Sequence, residues 1–313
     1  MKAIILKDFG RVENLELTEK QIPVPCANEV LIKLSAISIN PVDVKTRSGK
    51  GIAGLIKDQL PVILGWDISG TITEIGAEAT RFKTGDEVFA MLAFPGLGNT
   101  YAEYVVAKAD ELAIKPENVS HNDAAAASLA ALTAWQALTT HANVQAGQRV
   151  LIHAAAGGVG HYAVQMAKHL GAYVIGTASA ANRDFVLELG ADEHVDYQAQ
   201  PFEEVIKDID FVLDSMGGDY IDRSLKVIKK GGTIISIPSG LNETVTEKAK
   251  ALGINGYTIR VKPDGKDMEE IARLLADGTI RSHVSAVFPF EEMAAAHQQI
   301  EIGRTVGKVV LTF

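Results

Sequence analysis

The sequence predicts an α/β protein: a doubly wound parallel sheet, carrying one glycine-rich strand-to-helix turn, joined to an antiparallel, barrel-like domain. Three observations predict it. The segment Arg149 to Ile152 reads as a buried strand that runs through His153 and Ala154 into Ala155-Ala156-Gly157-Gly158-Val159-Gly160; a helix follows from Gly160 to Leu170, and a second apolar run begins at Tyr173. From there to Ile237 helical and strand patterns alternate, as they do in a parallel sheet covered by helices. The first third instead shows short strand patterns separated by glycine turns, the texture of an antiparallel barrel.

Taken in order, Met1 to Leu6 alternates and reads as a first strand rather than a leader. Val30–Ser38, Gly70–Ile75 and Glu87–Met91 are further strands, punctuated by Gly76, Gly85-Asp86, Pro95-Gly96 and Gly98-Asn99. The texture changes near Ser120. Asp123 to His141 is alanine-rich, with Leu129, Leu132, Trp135 and Leu138 at helical spacing, and predicts one helix. After the central unit come a helix over Asn182–Leu189, stopped by Gly190, a short strand Val195–Tyr197, a helix from Phe202, a buried strand Asp210–Asp214, a helix Tyr220–Ile228 and a strand Thr233–Ile237. Helices over Asp267–Asp277 and Phe290–Glu301 and a strand Lys308–Thr312 close the chain. The expected organisation is residues 1–122 and 264–313 in one domain, with residues 123–263 inserted as the other.

Composition narrows the function classes. The chain has 313 residues, enough for two domains of ordinary size, and 47% hydrophobic residues, enough for a substantial core. No apolar run is long enough to span a membrane. One cysteine, Cys26, excludes an intrachain disulfide and a cysteine-rich metal site, and makes cytoplasmic residence the expectation. A net charge of −9 disfavours broad nucleic-acid binding.

The central turn has a specific physical meaning. Glycines there bring backbone N–H groups close to a pyrophosphate, and the new helix aims its unpaired amides and positive dipole end at the anion. Ala155 stands at the first position of the G-x-G-x-x-G spacing, so the match is imperfect, and the flanking strand and helix carry the argument. A nicotinamide dinucleotide is the expected ligand, held by Ala155, Ala156, Gly157, Gly158, Val159 and Gly160.

Several motifs, in order, carry a family resemblance. They are Asn40-Pro41-Val42-Asp43, Leu64-Gly65-Trp66-Asp67-Ile68-Ser69-Gly70, Gly85-Asp86-Glu87-Val88, Tyr101-Ala102-Glu103-Tyr104, Leu132-Thr133-Ala134-Trp135, the glycine turn, and Gly303-Arg304-Thr305-Val306-Gly307-Lys308-Val309-Val310-Leu311. The chain resembles zinc-independent medium-chain dehydrogenase/reductases, the zeta-crystallin-like quinone oxidoreductase and enone reductase branch. The resemblance implies a GroES-like barrel domain around a Rossmann domain, with NAD(P)H bound between them. It also implies a homodimer joined at a sheet edge, for which Ala286–Phe288 and Thr258–Arg260 are candidates. Zinc-dependent relatives carry a cysteine near Asn40 and a His-Glu pair where this chain has Trp66-Asp67, so no metal is expected.

The end of the second strand selects NADPH. An NAD enzyme places an acid there, about 20 residues beyond the glycine turn, for the ribose hydroxyls. Here Thr177-Ala178-Ser179-Ala180-Ala181-Asn182-Arg183 offers a hydroxyl and a guanidinium instead, suited to a 2′-phosphate. Ser179 and Arg183 are the candidates, and Tyr197 matches a tyrosine that lies against this phosphate in similar reductases. The alternative for Arg183 is a solvated cation in a helical first turn. Asn40, Thr133, Ile237 and Lys308 complete the expected cofactor set.

Hydride transfer needs orientation and charge stabilisation more than protein chemistry. Asn40, Lys45 and Asp43 form the candidate catalytic set. The Asn-Pro-Val-Asp-x-Lys pattern resembles enone and alkenal reductases, where many quinone oxidoreductases carry tyrosine at the position of Lys45. Its ammonium could stabilise a developing enolate and then supply a proton; the alternative is a surface lysine paired with Asp43. His153 and His161 are expected to pack rather than react; Tyr101 either lines the substrate cleft or packs in the barrel. The expected activity is NADPH-dependent reduction of a quinone or an α,β-unsaturated carbonyl compound. Enoyl-thioester reduction, and a non-catalytic NADPH-binding protein of RNA-binding or crystallin-like type, are the alternatives.

Overall fold

The computed structural model describes residues 1–238 and 240–313. The chain divides into two compact units, Met1–Leu132 with Val261–Phe313, and Thr133–Arg260.

In the second unit six strands form one parallel sheet, ordered Glu193–Asp196, Tyr173–Ala178, Arg149–Ile152, Ile209–Asp214, Ile228–Ser236, Asn255–Thr258. Its central strands are apolar without alternation because both faces are covered; Leu151, Ile175, Val212 and Ile234 are buried with Phe202 in one cluster. Each such side chain contributes roughly 1.5–3 kcal/mol relative to exposure. Two consecutive strands run outward from Arg149–Ile152, and the chain then returns to lay Ile209–Asp214 on its other side. The order therefore reverses at Arg149–Ile152, and the glycine turn leaves from the carboxyl end of that strand, where open α/β sheets bind ligands.

The first unit is built on an eleven-residue strand, Glu29–Ile39, at the heart of a seven-stranded sheet. It pairs antiparallel with Asp67–Ile75, Tyr104–Lys108 and Lys308–Thr312. A three-stranded sheet of Leu15–Glu19, Lys2–Leu6 and Val62–Ile63 completes the unit. The pairing of Val309 with Ile39 sets Lys308 beside the end of the long strand, where Asn40 begins the Pro41–Arg47 helix.

Three expectations are corrected. The helix expected over Asp123–His141 is broken into His121–Ala126 and Leu129–Gln136, continued by a π turn over Ala137–His141. The break has a chemical cause, because the Leu129 N–H is taken at 2.8 Å by a buried carboxylate, Asp67. Alanine composition conveys helix propensity and cannot show a cap supplied from a distant strand. Phe290–Glu301 likewise begins with a 3₁₀ turn, Phe290–Glu292, before the helix Met293–Glu301. Ala286–Phe288 lies in Val284–Pro289, which pairs with Lys308–Thr312 in the first unit and so is not an edge of the parallel sheet. The edges of that sheet are Glu193–Asp196 and Asn255–Thr258, the second of them ending where the Thr258–Arg260 candidate begins.

Candidate functional site

In the second unit the glycine turn forms a tight backbone cradle. Ala154 sits at φ 49°, the left-handed region that a non-glycine residue enters only when its surroundings hold it there. Its carbonyl accepts the Gly157 N–H at 2.8 Å, and Ala155 is tied back to Thr177 at 2.9 Å. The helix Gly160–His169 then starts so close that a Cβ on Gly160 would lie 2.1 Å from the Ala154 carbonyl oxygen. Among the described residues the amides of Gly158, Val159 and Gly160 find no acceptor in the protein. They are donors gathered at a helix N-terminus, and they fit a pyrophosphate. Sequence reasoning missed Ala154; nothing in its side chain marks the strained position.

Beneath the cradle, His153 is fully buried and spans three elements. One ring nitrogen meets the Thr177 hydroxyl at 3.0 Å and the other the Ser224 hydroxyl at 2.9 Å. Burial holds it neutral, with its pKa lowered to about 4. It is a packed core histidine. Asp214, which sequence reading treated only as part of a strand, organises the next turn. Its carboxylate accepts the N–H groups of Met216 and Gly217 and the Ser236 hydroxyl, while Ile237 donates its N–H to the Asp214 carbonyl at 2.9 Å.

The three candidates for a 2′-phosphate come together at neighbouring strand ends. Ala178 pairs with Asp196 across the sheet, so Ser179 and Tyr197 each follow the end of a strand, and Arg183 opens the Arg183–Glu188 helix a few residues on. Arg183 is 61% exposed and, among the described residues, is hydrogen-bonded to the outward Asp184 at 3.2 Å. Tyr197 is 43% exposed. Thr133 is buried in the Leu129–Gln136 helix.

The first unit holds a buried polar cluster around Asn40. Its backbone N–H donates to Asp43 Oδ2 at 2.8 Å, a capping box closing the helix that Pro41 begins. Its side-chain Nδ2 donates to Asp67 Oδ2 at 2.7 Å, and its Oδ1 accepts from the ammonium of Lys308. Lys308, Asp67 and Asn40 are all essentially inaccessible to solvent. Asp43 is buried too, with its second oxygen accepting the Tyr101 hydroxyl at 2.9 Å; Tyr101 in turn accepts from His297 Nε2 at 3.0 Å, since its own proton is given to Asp43. Burial and the nearby Asp67 raise Asp43 to about 7. Burial lowers His297 to about 3. His297 was not foreseen; a single histidine in an alanine-rich helix was its only signal.

Lys45 lies on the same short helix, half-buried, and makes no ion pair with Asp43, whose oxygens serve Asn40 and Tyr101. Burial, and next Lys50, lower its pKa, which makes it a better proton donor near neutrality than a solvated lysine. Tyr101 is fully buried and therefore lines no open surface. Among the described residues no group of three or more His, Cys, Asp or Glu side chains is arranged to hold a metal ion, and no helix is long and apolar enough to cross a membrane.

A parallel sheet with a glycine cradle at its switch point, inserted into an antiparallel domain with a buried Asn-Asp cluster, defines a two-unit dehydrogenase/reductase. Residues 26–117 match the alcohol dehydrogenase GroES-like domain and residues 189–311 the zinc-binding dehydrogenase domain. The mouse NAD(P)H oxidoreductase RTN4IP1, mitochondrial, is 34% identical over 99% of this chain and 89% of its own. The Arabidopsis thaliana NADPH-dependent alkenal/one oxidoreductase, chloroplastic, is 33% identical over 99% of this chain and 79% of its own. The solved quinone oxidoreductase of Coxiella burnetii superposes with a TM-score of 0.96 at 37% identity, covering 100% of this chain and 99% of that one. The chain belongs to the medium-chain dehydrogenase/reductase superfamily, in its quinone oxidoreductase and alkenal/one oxidoreductase branch.

Proposed function

We propose that this protein is an NADPH-dependent reductase of quinones or of α,β-unsaturated carbonyl compounds. The observation that carries the reading is the combination of unclaimed amides at Gly158–Gly160 with an exposed guanidinium, Arg183, held among the described residues only by a surface contact to Asp184, just beyond the end of the second strand. The amides suit the pyrophosphate, and Arg183, Ser179 and Tyr197 suit a 2′-phosphate that an acid at the same place would repel. Relatives named for quinones and for alkenals support the substrate class.

When bound, NADPH supplies the hydride. The chain's own residues do the rest. The cradle, with Arg183, Ser179 and Tyr197 at the strand ends, holds the phosphates. Asn40, fixed in orientation by Asp67 and Lys308, presents a rigid amide. Lys45 holds a proton on an ammonium whose affinity for it is already weakened by burial, and an ammonium near an acceptor oxygen stabilises negative charge that gathers there. The open Asn255–Thr258 edge offers unpaired backbone groups to a second copy of the chain.

The test is oxidation of NADPH and of NADH, followed separately, with a panel of a naphthoquinone, a simple enone, a 2-alkenal and an enoyl thioester. Faster turnover with NADPH on a quinone or enone supports the reading. Turnover confined to the thioester, or none with any acceptor, removes it.

A further inference from the structure

The matching family domain over residues 189–311 is described as zinc-binding, and the donors of this chain do not fit zinc. A structural or catalytic zinc takes at least three protein ligands whose lone pairs converge on one point. The only thiol, Cys26, is exposed, and it is the Cys26 backbone N–H that donates to Glu29 Oε2, at 2.9 Å. The side-chain oxygens of the Asn40–Asp67 cluster are each already engaged by donors inside the protein. Asp67 Oδ1 accepts the Leu129 N–H at 2.8 Å; Oδ2 accepts the Ser38 hydroxyl at 2.6 Å and the Asn40 amide at 2.7 Å. The Asn40 amide oxygen accepts from Lys308. The Lys308 ammonium also reaches the Ile39 carbonyl at 3.3 Å and stands 3.6 Å from Asp67.

We propose that Lys308 is the resident cation of this cluster: its buried ammonium supplies the positive charge at the Asn40–Asp67 pair and acts as a positioning residue that fixes the face presented by the Asn40 carboxamide. A carboxamide can turn over about its last bond with little change of shape, so neighbours must select one orientation. Here the ammonium selects the oxygen and the carboxylate selects the nitrogen. Turning the amide over would set N–H against ammonium and oxygen against carboxylate, replacing two charge-assisted hydrogen bonds with two repulsions. Burial pulls Lys308 down and Asp67 up, yet every group bonded to Asp67 is a donor, the pattern of an ionised carboxylate. Of the two Asn40 amide hydrogens one goes to Asp67, and the second is thereby held in a single direction. Where the two charges are both present, no metal is required to hold that geometry.

The consequence for catalysis rests on the reductase reading above; the consequence for Asn40 itself does not. The experiment uses the full chain and compares wild type, Lys308→Met and the charge-balanced double variant Asp67→Asn/Lys308→Met, which leaves no buried charge unpaired. Three readouts are taken: NADPH affinity by fluorescence titration, kcat with a quinone and an enone, and the Asn40 side-chain amide signals in ¹⁵N-labelled protein. The expected result is one sharp pair of Asn40 amide signals in wild type that broadens or doubles in the double variant, with kcat at least tenfold lower and falling by more than NADPH affinity does. A double variant with wild-type kcat and unchanged Asn40 signals would overturn the proposal, leaving Lys308 a mere counter-ion for Asp67. Stoichiometric zinc in the wild-type chain that is lost in Asp67→Asn would overturn it as well. If wild type oxidises no NADPH, the reductase reading falls while the amide signals still decide whether Lys308 sets the orientation of Asn40.

Discussion

One oxygen of Asp67 accepts the backbone N–H of Leu129 at 2.8 Å, so a carboxylate at the start of a strand caps a helix that begins far along the chain. The same carboxylate accepts from Ser38 and Asn40 and faces Lys308. Removing it should therefore cost more than one cap. Asp67→Ala is expected to lower the unfolding free energy by about 3–5 kcal/mol, the loss seen when one partner of a buried pair is deleted. Asp67→Asn, which keeps shape and some of the hydrogen bonds, should lose clearly less. Urea denaturation of both variants checks this; equal losses would show that the shape of the residue, not its charge, is what matters.

How much of this was legible follows from distance along the chain. The glycine cradle was legible because the strand, turn and helix that make it are contiguous, and the all-apolar strands around Leu151 and Val212 announce a sheet covered on both faces. The Asn40 cluster was only half legible. Asn40 and Asp43 share a motif, but Tyr101, His297 and Lys308 reach them through sheet pairing and a returning chain end. The break between Ala126 and Leu129 was invisible for the same reason: the cap comes from Asp67.

The cradle depends on the absence of one atom. A Cβ on Gly160 would meet backbone, the Ala154 carbonyl oxygen at 2.1 Å, and no side chain can swing away to relieve it. Gly160→Ala is expected to weaken NADPH binding at least tenfold and to lower Tm, through displacement of the helix from the turn. Titration of NADPH against the variant tests this. Gly85→Ala, where a Cβ meets nothing within 4 Å but φ is +93°, should cost stability without changing NADPH affinity.

Selectivity for the phosphorylated cofactor should reside in Arg183. A hydrogen bond to a charged partner is worth about 1.5–3 kcal/mol, or roughly one to two orders of magnitude in affinity. Arg183→Ala is expected to raise KM for NADPH about tenfold or more and leave KM for NADH nearly unchanged. Ser179→Asp should go further and favour NADH, since the carboxylate repels phosphate and accepts ribose hydroxyls. Equal changes for both cofactors would place Arg183 outside the phosphate site.

Lys45 should act on turnover. Its pKa is lowered by burial and by Lys50, and it has no ion pair with Asp43 to hold its proton. Lys45→Ala is expected to lower kcat on an enone about tenfold to a hundredfold with NADPH affinity unchanged. Lys45→Arg, which keeps charge and gives up no proton, should recover only part of the loss. A wild-type kcat in Lys45→Ala would remove the residue from the chemistry.

Asp43 and the two histidines His153 and His297 give stability a pH dependence whose sign can be worked out. His153 and His297 are held at about 4 and about 3 in the fold, against 6.5 when unfolded. Each therefore contributes stability that is complete above pH 6.5 and is lost as pH falls toward the folded value, because the unfolded chain then binds a proton that the fold refuses. Asp43, raised to about 7 from 3.8, does the reverse: the fold binds its proton more tightly, so stability is gained as pH falls from 7 toward 3.8. Between pH 6 and 5 the two histidines outweigh the acid by about one proton, and the unfolding free energy should fall by roughly 1.4 kcal/mol per pH unit on acidification. Asp43→Asn removes the opposing group and should make that slope about twice as steep. His297→Gln removes one proton from the other side and should nearly flatten it. The slopes, measured by urea denaturation at several pH values, are the test, since each variant can shift overall stability without altering the argument; a slope in Asp43→Asn equal to the wild type's would mean that the carboxyl is ionised in the fold throughout, and a flat profile there would mean that the two histidines do not contribute.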